Sequence, residues 1–124
     1  MSFPALPDRP VPPVGKMSND ELARLARDSN RFRGRAVYEL ADRAAADEDA
    51  ATILGQLTTL PALREDRFHL VTMAWAAIVA LLQTQATHAR QVAYRSFAAL
   101  PEQEQRNFLE YLRCDRIEDA ESAP

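Results

Sequence analysis

The chain has 124 residues, 47% of them apolar and 27% charged, with a formal net charge of −3. That size and balance suit one globular domain able to bury a core without disulfide staples. A mildly acidic chain is not built as a general nucleic-acid binder, which is basic overall, and the single cysteine, Cys114, excludes an internal disulfide and fits a reducing cytoplasm.

Taken from the N-terminus, Pro4, Pro7, Pro10, Pro12 and Pro13 forbid a helix and favour extended polyproline-like backbone. Residues 1–17 are therefore expected to form a Pro-rich extended or disordered arm, with Phe3, Leu6 and Val11 as candidate anchors. No basic segment followed by an apolar run opens the sequence, so a secretory signal is not expected. Ser18 with Glu21 three residues on makes a capping box. Leu22, Leu25 and Ala26 then give the apolar edge of a first helix, which Ser29 and Asn30 end. A second helix is expected from about Arg33 to Ala46, burying Val37, Leu40, Ala41 and Ala44 and turning Glu39, Asp42 and Arg43 outward. Asp47, Glu48 and Asp49 suit the positive end of a third helix, whose apolar positions are Ile53, Leu54, Leu57 and Leu60, with Pro61 as its limit.

Phe68 to Leu82, starting near Glu65 or Arg67, reads as a helix apolar on both sides. Leu70, Met73, Ala77, Ile78 and Leu81 follow helical spacing on one side, and Phe68, Val71, Trp75, Val79 and Leu82 on the other. Such a helix has to be covered on both sides, so it is expected at the centre of the fold, with Trp75 in the core. It is shorter than the ~20 residues a bilayer requires, and Arg64, Glu65, Asp66 and Arg67 precede it, so no membrane partner is expected. A fifth helix follows over roughly Ala86 to Ala99, with Val92, Ala93, Phe97 and Leu100 inward. Pro101 opens a sixth, whose inner stripe is Gln105, Phe108, Leu109 and Leu112. Residues 18–113 thus read as a single all-α domain and 114–124 as an acidic flexible tail.

Two helix ends look alike. Leu57-Thr58-Thr59-Leu60-Pro61 and Phe97-Ala98-Ala99-Leu100-Pro101 lie about forty residues apart, and the same offset aligns Ala36 with Ala76, Leu40 with Ala80, Ile53 with Ala93 and Phe68 with Phe108. A period near forty with two antiparallel helices per unit is the spacing of HEAT and armadillo repeats. From about Arg33 to Leu112 the chain resembles that class, as two helix pairs plus a closing helix, although the proline that many such units carry inside their first helix is missing. The resemblance implies a short HEAT-like α-solenoid of about six helices. An orthogonal helical bundle around the central apolar helix 68–82 is the alternative. In both, helix pairs that cannot bury their apolar faces alone stack around a shared centre.

Signatures of catalysis are missing from the sequence. Gly15, Gly34 and Gly55 are isolated, so no phosphate-cradling loop is present, and no GxSxG elbow occurs. His69 and His88 are the only histidines, and neither belongs to an HExxH or Glu-x-x-His unit. Glu65 and His69 could share a helix face, but a metal site would want further ligands beside them. Cys114 with His88 would need tertiary proximity to act as nucleophile and base. No enzyme, metal or cofactor is expected.

The uneven feature is basic. Arg24, Arg27, Arg31, Arg33 and Arg35 crowd the end of the first helix and the turn into the second, and Phe32 interrupts them. Arginine forks bind carboxylate or phosphate, whereas Asp20, Glu21, Asp28, Glu39 and Asp42 lie close enough in sequence to neutralise them. The expected function is a cytoplasmic, non-enzymatic protein-binding module, a small adaptor or an inhibitory, immunity-type protein, contacting another, acidic protein through Arg24, Arg27, Arg31, Phe32, Arg33 and Arg35. Self-association is a further option. The alternative is a nucleic-acid-associated factor that places the same arginines on phosphates.

Overall fold

A computed structural model describes residues 11–68 and 71–120, with 67 and 68 as backbone only. Among these residues the fold is all-α. Seven α-helices run in the order α1 (Asn19–Asp28), α2 (Arg33–Ala44), α3 (Glu48–Leu57), α4 (Pro61–Glu65), α5 (Met73–Leu82), α6 (Thr87–Ala98) and α7 (Glu102–Leu112). A two-residue antiparallel ladder, β1 (Arg67–Phe68) with β2 (Val71–Thr72), separates α4 from α5. No helix among the described residues is long and apolar enough to cross a membrane.

Local chemistry sets the helix starts. The Ser18 hydroxyl accepts the Glu21 N–H at 3.1 Å, and the Glu21 carboxylate accepts the Ser18 N–H at 2.9 Å. These bonds, that from the Ser18 backbone foremost, hold the Glu21 carboxyl below its ordinary range. Asp47 caps α3 by accepting the N–H groups of Asp49 and Ala50 at 3.0 and 3.3 Å. Its carboxyl is lowered too, first by the Asn19 side-chain amide and then by the Ala50 N–H. Pro61 sits at the first turn of α4, where its missing N–H costs nothing. It therefore begins a short helix of its own as well as bounding α3.

The apolar helix is shorter than its sequence suggests. It begins at Met73, not between 65 and 68. Thr72 caps it by accepting the Trp75 N–H at 3.1 Å, and the Met73 N–H turns back to the Asp66 carbonyl at 2.8 Å. The β-branched pair Val71–Thr72 lies extended against Arg67–Phe68, so those residues are strand rather than first helical turn. Within α5, Met73, Ala74, Ala77, Ile78, Leu81 and Leu82 are buried, while Trp75, Ala76, Val79 and Ala80 are half-buried and none is fully exposed. Leu70 and His69 lie outside the described residues.

The helices stack in two rows. α1, α3 and α6 lie side by side in that order, and α2 and α5 lie side by side behind them. α2 packs on both α1 and α3, and α5 on both α6 and α3. α7 is held by rings. Phe108, fully buried, meets Trp75 edge-on at 4.7 Å and Phe97 at 5.9 Å, and Tyr111 lies 5.9 Å from Trp75. Glu104 ties three helices at this end, taking the Trp75 indole N–H at 2.9 Å and the Arg64 guanidinium at 2.5 Å. α7 then stops in a Schellman arrangement, with Arg113 left-handed at φ 59° and the Cys114 N–H on the Leu109 carbonyl at 3.1 Å.

Both flanks of the helical body are attached. Val14, within a 3-10 turn at Val14–Lys16, gives its carbonyl to the Arg43 guanidinium at 3.0 Å, and Met17 packs partly against the core. Residues 1–10 of the expected arm lie outside the described residues. In the segment expected as a tail, Ile117 is only 6% exposed and a 3-10 turn at Ile117–Asp119 rests near α6. Residues 121–124 are outside the description.

α3 and α6 meet at Gly55 without room for a side chain. A Cβ at Gly55 would fall well inside van der Waals distance of Val92 Cγ1 and 3.3 Å from Ser96 Oγ. Gly55→Ala is expected to destabilise the protein by about 1–3 kcal/mol in urea unfolding. Combined with Val92→Ala, it should show a favourable coupling of about 1 kcal/mol or more. Strict additivity would contradict the contact.

Candidate functional site

The six residues of the arginine-rich stretch do not share one surface. Asp20, Arg24 and Arg27 recur at helical spacing along α1 and face outward. Arg31 and Phe32 occupy the α1–α2 turn, with the Arg31 guanidinium 5.3 Å above the Phe32 ring. Arg35 is exposed on α2.

Arg33 turns inward and is 4% exposed, so it cannot serve as a contact residue in this fold. Its Nε donates to the Ala26 carbonyl at 2.6 Å and Nη2 to the Arg27 carbonyl at 3.3 Å, closing the C-terminus of α1. Its Nη1 pairs with Asp66 at 3.0 Å, just past α4. One guanidinium thus satisfies two last-turn carbonyls and anchors the residue that also receives the Met73 N–H.

Few of the expected carboxylate partners are engaged. Among the described residues, Arg43 pairs with Glu39 at 2.8 Å and also reaches Asn19 and Val14. Arg24, Arg27, Arg31 and Arg35 form no ion pair within 4 Å there, Arg24 acting on Glu21 only at longer range. The cations on α1 are therefore exposed and available.

Arg24 and Arg27 form one rim of a groove of about 340 Å³ between α1 and α3. Ala23, Ile53, Leu57 and Leu60 line its apolar floor, and Asp20 and Gln56 complete the rim. A second groove of about 290 Å³ runs between α3 and α6. Gly55, Val92 and Ala99 give it apolar walls, Thr52, Thr59 and Ser96 supply hydroxyls, and Arg95 stands exposed at its edge. Gln56 lines both grooves, so α3 is the ridge between them. His88 braces that ridge, its Nε2 lying 2.9 Å from Thr52 Oγ1.

The other chemical candidates are dispersed. His88 is engaged with α3, whereas the Cys114 thiol is pushed up from its ordinary value by burial and then by Asp119 and Asp115. That environment favours the neutral thiol over a nucleophilic thiolate. The Glu65–His69 pair lies outside the description because His69 does. Among the described residues, no three His, Cys, Asp or Glu side chains are grouped as metal ligands.

Arg95 and Gln56 carry no signal of their own in the sequence, since one is an isolated arginine and the other a lone amide on an apolar helix. What gives them a site is the juxtaposition of α1, α3 and α6. Comparison with protein-family models, with characterised proteins and with solved structures finds no match to this chain.

Replacing Arg33 separates the two kinds of arginine. Arg33→Lys keeps the charge but loses the fork that spans two carbonyls and Asp66, and is expected to cost about 2–3 kcal/mol in denaturant unfolding. Arg24→Lys should change stability by less than about 0.5 kcal/mol. Equal effects from the two substitutions would contradict this division.

Proposed function

We propose that this chain is a non-enzymatic protein-binding module that docks an acidic segment of another protein in the groove between α1 and α3. The observation that carries the reading is an apolar floor, Ala23, Ile53, Leu57 and Leu60, beside two exposed arginines without ion-pair partners among the described residues. Apolar side chains entering that floor would supply affinity, and carboxylates meeting Arg24 and Arg27 would supply orientation and specificity. Asp20 on the same rim favours a polypeptide of mixed charge over a phosphate backbone, whose charge is of one sign. An adaptor or an inhibitory partner of the immunity type would use such a groove in the same way.

The scaffold is read, within the same proposal, as two HEAT-like units, α2–α3 and α5–α6. What supports this is that α2 and α5 begin at Arg33 and Met73, about forty residues apart, and that like packs against like, α2 on α5 and α3 on α6.

The test is affinity purification from native cell extract with the wild-type chain and with the Arg24→Glu/Arg27→Glu variant as bait. The protein lost with the variant is then purified and titrated calorimetrically. The double charge reversal is expected to weaken that binding at least tenfold while leaving the melting temperature unchanged. Undiminished binding would overturn the proposal. So would tight binding of a DNA or RNA oligonucleotide that falls steeply with rising salt, the signature of counterion release.

A further inference from the structure

Resting on the reading above, we infer that the docked segment is an acidic amphipathic helix that crosses α3 and occupies both grooves at once. The two grooves share Gln56 and flank a single helix. Their outer rims carry exposed arginine on both sides, Arg24 and Arg27 on α1 and Arg95 on α6, and none of the three has an ion-pair partner among the described residues. Among the described residues, the only carboxylate on either lining is Asp20. The surface therefore repeats one pattern outward from α3 in both directions: ridge, apolar trough, arginine.

The walls select a helix over an extended strand. Both grooves are built from helices whose backbone groups are bonded within the helices themselves, so no free sheet edge is offered to an incoming chain. An extended segment laid there would lose water from its own N–H and C=O groups without finding a ladder to replace it. A helix brings its backbone already satisfied and presents only side chains.

Spacing then defines the ligand. Packed helices lie about 8–10 Å apart, so troughs on opposite sides of α3 are separated by about one helix width. Two turns of a crossing helix rise about 10.5 Å, which places residues i and i+7 over the two troughs. Their apolar side chains would enter beside Leu57 on one side and Val92 on the other. Acidic residues one turn beyond each anchor would reach the arginine rims. The recognised chemistry is thus a pair of apolar anchors two turns apart, bracketed by carboxylates on the same helical face.

The experiment uses fluorescently labelled, alanine-based helical peptides of about 20 residues, with leucine anchors at i and i+7 and glutamates one turn outside each. Binding to the full chain is followed by fluorescence anisotropy. The expected result is at least tenfold tighter binding than a peptide of the same composition with anchors at i and i+4. Binding should fall about tenfold with Arg95→Glu and also with Arg24→Glu/Arg27→Glu. Perturbation of the Val92 and Ser96 amide resonances on titration would place the peptide in the second groove independently of any variant. The inference is overturned if a proline-interrupted peptide of equal composition binds as well, if anionic vesicles or an oligonucleotide compete equally, or if no peptide of the series binds. If Arg95→Glu leaves affinity unchanged while Arg24→Glu/Arg27→Glu lowers it, the crossing geometry is wrong and the α1–α3 docking reading stands. Insensitivity to both substitutions removes both.

Discussion

The arrangement turns on the absence of a side chain at residue 55. A glycine in mid-helix costs about 1 kcal/mol relative to alanine, yet α3 carries one against α6, with Val92 in the space that a Cβ would occupy and Ser96 close beside it. Close approach at that point lets α3 lie between α1 and α6 while its inner side meets α2 and α5. Six of the ten residues of α3 are then buried, and Thr58 closes its end by donating to the Gly55 carbonyl at 2.6 Å. What stays open is the narrow outer strip bearing Thr52, Gln56 and Thr59, and a trough on either side of it. The shape of the candidate surface follows from one packing contact, which lies at the base of the α3–α6 trough itself.

A run of arginines close in sequence becomes several different things in space. Arg33 is drawn inside because the last turn of α1 leaves carbonyls that need donors, and a guanidinium reaches two of them and still has a nitrogen for Asp66. Arg31 lies over the Phe32 ring, Arg35 belongs to the second row, and Arg24 and Arg27 edge the α1–α3 groove. Helical periodicity explains part of this division, since residues 24 and 27 share a face with Asp20. The rest depends on what packs alongside, which charge clustering along the chain does not encode. Arg95, about seventy positions downstream of Arg24, is the more relevant neighbour of the docking surface, because α6 and α1 flank the same helix.

The parts of the fold legible in the sequence are those decided within a few residues. The Ser18–Glu21 capping box, the acidic start of α3 at Asp47–Asp49, the break at Pro61 and the inward stripes of α2, α3 and α6 all rest on local bonds or on periodicity. The start of α5 was hidden because it depends on a long-range bond, Met73 N–H to Asp66, and on strand pairing across residues 67–72. Trp75 reads as a core residue by its neighbours, but its indole N–H reaches Glu104 at the surface and its ring shares a half-open face with Tyr111, which is 51% exposed. The left-handed Arg113 also gave no signal, because the usual residue at that position is glycine. The grooves were illegible for a similar reason. Their floor residues, Ile53, Leu57 and Leu60, have the same letters and spacing as buried core, and only the third dimension leaves one edge of that stripe uncovered.

The most direct test of this account is native-state amide hydrogen exchange along α3. If Gly55 seats that helix firmly against α6, the amides from Ile53 to Thr58 should exchange only through global unfolding, as slowly as those of Leu40 in α2 or Ile78 in α5. Exchange of the α3 amides within seconds under native conditions, while α2 and α5 stay protected, would show that the helix is not held there. The ridge and both troughs would then have no fixed shape for a partner to recognise.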